Sequence, residues 1–246
     1  MLLRSKILRV VRRGGEAGRR FESDWQLNFI GSLSKPTSPW HNIPCDLDRL
    51  NDASECPVVF EMPKGTREKL ELATKVQFNP LRQDRNSNGT LRKLTYGDLP
   101  FNYGFVPQTY EDPQVLDPIT GCGGDGDPLD VVELSEHAIN IGEILNVRVL
   151  GALGLIDGEE MDWKILAIDA RGWQRSVVDF PSNRIDEIRH WFTHYKVTDG
   201  KAMNRLARDG HIFSVIEAID IIRGAHHQYE ALKEGKSPNT HNLWLG

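Results

Sequence analysis

The stretch Glu143-Ile144-Leu145-Asn146-Val147-Arg148-Val149-Leu150-Gly151-Ala152-Leu153-Gly154-Leu155-Ile156-Asp157 decides the fold. It is rich in Ile, Val and Leu, and β-branched residues suit a pleated, packed surface. Gly151 and Gly154 inside it mark a bend, so the stretch predicts one long bent strand or two strands. Close behind, Asp162-Trp163-Lys164-Ile165-Leu166-Ala167-Ile168 reads as an alternating strand. Upstream, Val58-Val59-Phe60-Glu61-Met62 and Lys69-Leu70-Glu71-Leu72-Ala73 read as shorter strands. Downstream the period changes. Ile185, Ile188, Trp191, Phe192 and Tyr195 follow helical spacing behind Ser182-Asn183. Ile212, Val215, Ile216, Ile219 and Ile222 do the same ahead of Gly235, which suits a helix stop. Strands first and helices second predict an α+β, mainly β chain. Short strands at close spacing favour a small barrel over an open sheet. Residues 24–57, punctuated by Pro36, Pro39, Pro44 and Pro57, read as irregular.

A chain of 246 residues makes one large domain or two small ones. With 39% hydrophobic and 26% charged residues it can bury a core. No apolar run approaches the ~18 residues of a transmembrane helix, so a transmembrane helix is ruled out. Cys45, Cys56 and Cys122 form no CxxC pair, which argues against a disulfide scaffold or zinc ribbon and fits a reducing compartment. The net charge of −5 conceals an asymmetry: residues 1–20 hold seven basic side chains against Glu16, which leaves −11 on the rest. An acidic body does not suit a nucleic-acid binder, whose phosphate contacts need a basic face.

Within those first residues, Leu2, Leu3, Ile7, Leu8, Val10 and Val11 interleave with the cations. A basic, amphipathic, acid-poor stretch predicts an organelle transit peptide. Arg19-Arg20-Phe21-Glu22-Ser23 resembles a mitochondrial processing site. Residues 1–21 are therefore expected to be a leader, and residues 22–246 a single domain with its core at about 57–232. The alternative is a disordered basic tail on a cytosolic protein.

Between residues 94 and 147 there is no Lys or Arg but there are ten acids, centred on Gly123-Gly124-Asp125-Gly126-Asp127-Pro128-Leu129-Asp130. Carboxylates this close repel one another unless a cation sits among them, and carboxylate oxygens are what Mg²⁺ and Ca²⁺ prefer. The plainer reading is a solvated acidic loop. An EF-hand loop begun at Asp125 fails, because its sixth position needs Gly and has Asp130. The GxGxxG spelling from Gly121 to Gly126 also fails, since prolines stand where a strand and a helix are required. His190 and His194 lack the Glu of HExxH, and no GxSxG or P-loop spelling occurs.

The segment Asp125-Gly126-Asp127-Pro128-Leu129-Asp130-Val131 resembles the D-x-D-P signature of family I soluble inorganic pyrophosphatases. Asn102-Tyr103-Gly104, residues 107–113, Asp157-Gly158-Glu159-Glu160-Met161-Asp162-Trp163-Lys164, and Trp191-Phe192-Thr193-His194-Tyr195-Lys196 with Asp199-Gly200-Lys201 are similar to further segments of that family. So are Glu61-Met62-Pro63, Lys69-Leu70-Glu71 and Leu91-Arg92. The likeness runs over about residues 24–232 and is eukaryotic in type. It implies a five-stranded, OB-like barrel with flanking C-terminal helices, Mg²⁺ as cofactor, inorganic pyrophosphate as substrate and a homo-oligomer. By the same resemblance Asp125, Asp130 and Asp162 hold the tightest Mg²⁺, with Asp130 reaching a second ion, and Asp127 is the general base. Asp157, Glu71 and Glu61 complete the acidic shell, while Lys69, Arg92, Tyr103, Lys164, Tyr195 and Lys196 grip the phosphates. Lys64-Gly65-Thr66 stands where the eukaryotic branch has Arg-Trp-Thr, whose tryptophan belongs to its dimer contact.

The chemistry explains the residue types. Pyrophosphate is highly anionic, so cations must neutralise it and make water acidic near ~pH 7. A carboxylate can then take a proton. Arg92 can hold phosphate bidentately, and lysines act as point charges. A calcium-binding module without catalysis would have no use for that anion clamp.

Overall fold

The computed structural model describes residues 9–13, 25–31, 34–171 and 182–246, with residues 9–13 and 182 given by their backbone. In chain order the elements are β1 (Arg9–Arg13), β2 (Gln26–Ile30), β3 (Pro36–Thr37), α1 (Leu47–Ala53), β4 (Glu55–Met62), β5 (Leu70–Leu72), β6 (Leu81–Gln83) and β7 (Asn102–Phe105). There follow β8 (Gly123–Gly124), β9 (Asp130–Glu133), β10 (Ile144–Asp157), β11 (Glu160–Asp169), α2 (Ser182–His194), β12 (Arg205–Leu206), β13 (Ile212–Phe213) and α3 (Val215–Lys233).

Five of these strands close on themselves. β10 pairs with β4, β4 with β7, β7 with β9, β9 with β11, and β11 returns to β10. All but the β9–β11 pairing are antiparallel. The ring leaves no open edge among its members; the strand spacing predicts a small barrel, and the five-stranded form is the one the resemblance implies. The glycine-bearing stretch is one strand, bent where its register against β11 shifts between Val149 and Gly151.

β11 departs from the expected half-buried alternation: everything from Met161 to Asp169 is buried. Trp163, Ile165 and Ala167 pack in one cluster with Ile219 and Ile222 of α3, while Leu166 and Ile168 pack in another with Ile188 and Phe192 of α2. Both faces are thus packed by side chains from elsewhere in the fold, and one of them also carries the buried Asp162 and Lys164. The last helix is also narrower in its apolar stripe than expected. It starts after Ile212, which lies in β13, and Ile216 points outward at 73% exposure. Ser214 and Glu217 form the capping box that fixes this start.

The region 24–57 is more ordered than its prolines suggest. β2 pairs with β3 and β6, and α1 is capped by the Asp46 side chain, which accepts from the Arg49 N–H. Five residues of the expected leader, β1, lie antiparallel to β2. That part of the basic segment therefore rests on the body through backbone pairing; the processing-site pattern at residues 19–23 lies outside the described residues.

Candidate active site

One end of the barrel gathers the chemistry-bearing side chains. Glu61 sits near the end of β4, Tyr103 on β7, Asp130 at the start of β9, Asp157 at the end of β10, and Asp162 and Lys164 on β11. Lys69 and Glu71 come from the β5 segment, Arg92 from the loop after β6, Asp125 and Asp127 from the β8–β9 loop, and Tyr195 and Lys196 from the chain leaving α2. Every one of these residues lines a single cleft of about 240 Å³.

The Asp125-Gly126-Asp127 turn is made possible by glycine. Gly126 has φ 84°, and a Cβ there would meet the His241 ring at about 2.2 Å. The Asp127 N–H donates to Asp125 Oδ1 at 3.0 Å, which tightens the loop. Pro128 stiffens the way into β9.

On β11 the two-residue period puts Asp162 and Lys164 on one face, and Lys164 Nζ donates to Asp162 Oδ1. Lys164 also donates to Asp130 Oδ2 at 2.5 Å and to Tyr103 Oη at 2.9 Å, and the Tyr103 hydroxyl donates to Asp130 Oδ2. Elsewhere Lys69 bonds Glu71 at 2.6 Å and Lys196 bonds Asp157. Each cation of the clamp is thus steered by a carboxylate.

Two residues that sequence reasoning did not assign belong to this framework. Asp84 accepts from Arg92 at 2.9 Å and lies 3.8 Å from Lys69. No local pattern marks it, because its partners lie across a hairpin. Glu111 is buried, and its carboxylate oxygen lies within 4.8 Å of oxygens of Asp125 and Asp162. It falls in the segment 107–113 that carries the resemblance, but at no metal-ligand spacing. Asp130 stands beside this trio with its Oδ2 taken up by Lys164 and Tyr103.

Like charges dominate the acid floor. Burial and the neighbouring Asp127 and Asp130 push Asp125 up to about 8. Asp127 is exposed as a residue, yet the cleft walls strip its hydration, and together with Glu71 and Asp130 they push it up to about 7. Glu61, Glu111 and Asp162 are raised as well, chiefly by burial; for Asp162 the adjacent Lys164 opposes the shift. Lys164 and Lys69 stay firmly charged: burial disfavours their charge, but the carboxylates around them outweigh it. A floor of buried oxygen ligands, with Glu111 Oε2 lacking a hydrogen-bond partner among the described residues, fits a hard divalent cation.

Comparison with known proteins agrees with this geometry. The sequence profile described as "Inorganic pyrophosphatase" matches residues 58–230. A mouse protein named "Inorganic pyrophosphatase 2, mitochondrial" is 35% identical over 242 residues, covering 88% of this chain and 73% of its own length. The type I inorganic pyrophosphatase of Toxoplasma gondii superposes with a TM-score of 0.84 at 34% identity, over 92% of this chain and 100% of that one. The N-terminally truncated vacuolar soluble pyrophosphatase of Trypanosoma cruzi, solved in complex with PPi, superposes with a TM-score of 0.82 at 31% identity, over 95% of each chain. A closed barrel, an acid floor and a cation–phenol wall, found together with these matches, identify the chain as a member of the inorganic pyrophosphatase family.

Proposed function

We propose that this protein hydrolyses inorganic pyrophosphate to two phosphates, with Mg²⁺ as its cation. One observation carries the reading: a single cleft sets Asp125, Asp127, Asp130 and Asp162 against Lys69, Arg92, Tyr195 and Lys196. The acids suit cations, and the wall suits a compact polyanion. Bound divalent cations would neutralise phosphate oxygens and bring water's pKa towards ~7. Asp125, Asp130 and Asp162 are the residues to hold them, with Asp157, Glu71 and Glu61 completing the acidic shell. Asp127 takes the proton of the attacking water. It stands apart from the Lys164 network and so keeps its carboxylate free. Arg92, steered by Asp84, presents parallel N–H groups to one phosphate, and Lys69, Lys164 and Lys196 add point charges. The phenols of Tyr103 and Tyr195 are held neutral by burial; Tyr195 serves as a donor to phosphate, and Tyr103 becomes one when Asp130, to which it now donates, turns to a cation. Charge growing on the leaving phosphate is met by Lys69 and Arg92.

Phosphate release from pyrophosphate is the test. Turnover should require Mg²⁺, vanish with EDTA, and fall when Ca²⁺ competes. Magnesium-saturated protein that releases no phosphate would refute the reading.

The basic amphipathic segment and the mouse relative's name support a mitochondrial location, with residues 1–21 as the leader of a single domain spanning 22–246. A fusion of residues 1–30 to a reporter should enter mitochondria; a cytosolic fusion would refute it. Among the described residues no helix is long and apolar enough to cross a membrane. We also propose a homo-oligomer by family likeness. Its contact would have to differ at Gly65, which takes φ 86° in a turn closed by Thr66 N–H to Pro63 O at 3.1 Å. Sedimentation of a monomer at micromolar protein would exclude the oligomer.

A further inference from the structure

Glu111, outside the Asp125–Asp127 loop, is tied to it by two backbone hydrogen bonds. Its N–H donates to Asp127 O at 2.9 Å, and its own carbonyl accepts the Gly126 N–H at 2.9 Å. Gly124 is packed so tightly beneath it that an added Cβ would fall about 2.4 Å from the Glu111 carbonyl. The side chain is 5% exposed. One oxygen, Oε1, accepts the Trp163 N–H at 3.0 Å, which fixes the carboxylate next to Asp162 across 52 residues of chain. The other, Oε2, is buried with no hydrogen-bond partner among the described residues. Asp125 and Asp162 each bring an oxygen to within 4.8 Å of this carboxylate.

A carboxylate used only to receive the Trp163 N–H would need one acceptor oxygen and no charge. Glutamine would serve that purpose without leaving a bare anionic oxygen beside two aspartates. Burying an unpaired polar oxygen costs about 1–3 kcal/mol, and placing it among like charges adds to that cost. A divalent cation resolves both at once. The backbone bonds to Asp127 and Gly126 also couple any pull on this side chain to the loop that carries the proposed base.

We propose that Glu111 is a further acidic group of the cation site, adding its Oε2 to the field that Asp125 and Asp162 provide. It acts as a positioning residue: it holds the cation end of the site in register with the Asp127 loop, and its charge raises cation affinity. The inference rests on the reading of the cleft as a metal site.

The test uses metal-stripped full-length protein and calorimetric titration with Mg²⁺ alone. Glu111→Gln keeps the Trp163 acceptor and the shape, so its melting temperature without metal should stay the same or rise. Its affinity at the tightest site should fall about 10–100-fold, the range for lost supporting groups of a metal site. Glu111→Asp retains charge with a shorter reach and should lie between Glu111→Gln and the parent. Equal weakening in both variants, or a Glu111→Gln titration within twofold of the parent, would overturn the inference. Parent protein that binds no Mg²⁺ would instead overturn the metal reading of the cleft.

Discussion

Glu55 and Glu61 lie on the same strand, β4, and both are almost fully buried, at 6% and 4% exposure. Their surroundings are opposite. Glu55 accepts from Arg49 at 2.7 Å and from Arg148 at 2.9 Å; burial alone would push it up, but the two guanidiniums hold it below the ordinary glutamate value. Glu61 accepts only the Leu72 N–H at 2.6 Å and faces Asp130 and Glu71; burial and those charges push it well up, with Lys69 a weaker counterweight. One end of the strand neutralises its acid with the chain's own cations. The other keeps acids together. A fold left to stability alone would not keep that second arrangement, because buried like charges are costly. The difference marks which end of the barrel works on a ligand.

The largest expected effect tests the working end directly. Asp127→Asn preserves shape and removes the proton acceptor, so turnover should fall about 10²–10⁴-fold, as for loss of a general base. Mg²⁺ titration should stay nearly unchanged. Near-normal phosphate release under saturating Mg²⁺ would break the assignment.

A second pair of substitutions compares the two glutamates themselves. Glu55→Gln leaves two arginines partly unpaired; since Arg49 is 45% and Arg148 33% exposed, the cost should be about 1–2 kcal/mol, below that of a sealed pair. Activity at low temperature should persist. Glu61→Gln keeps the Leu72 bond and removes a crowded charge, so the metal-free melting temperature should rise while turnover falls. Thermal melts and phosphate release on both variants check this, and shifts of the same sign in stability would erase the contrast.

The third test is pH. Asp125 is raised to about 8 and Asp127 to about 7, against an ordinary aspartate value near ~4. The folded protein therefore holds protons that the unfolded chain releases. This contribution to stability is complete below about pH 4 and is lost as pH climbs to about 8. Cations compete with those protons, so the gain in melting temperature on adding Mg²⁺ should be larger near pH 8 than near pH 5. Scanning calorimetry would show it, and an equal gain at both pH values would contradict the crowded-acid account.

The smallest effect concerns the amino-terminal segment. Deleting residues 1–21 removes β1 and its pairing to β2, which lies away from the cleft. Turnover should stay within about twofold, as expected of a terminal strand bearing no ligand. A larger loss would mean that β1 supports the barrel end.

The sequence by itself determined the long bent strand, three shorter strands, the two C-terminal helices and the crowded acidic segment. A long β-branched run with two glycines requires a bent strand, a 3.6 period requires a helix, and three aspartates within six residues require either water or cations. These are local demands, set by the covalent spacing of neighbours. Only the tertiary structure decided which five strands close the ring, that β11 is buried on both faces, that Ile216 faces outward, and that α1 forms among prolines. It alone placed Asp84 behind Arg92 and Glu111 beside Asp162. Asp84 bonds Arg92 8 positions on, and Glu111 reaches Asp162's neighbour Trp163 52 positions on, through pairings that no periodicity encodes. The physical reason is the same in each case. Burial and charge crowding are properties of what packs around a residue, and a glutamate on one strand is a paired buttress at Glu55 and a crowded acid of the cleft at Glu61.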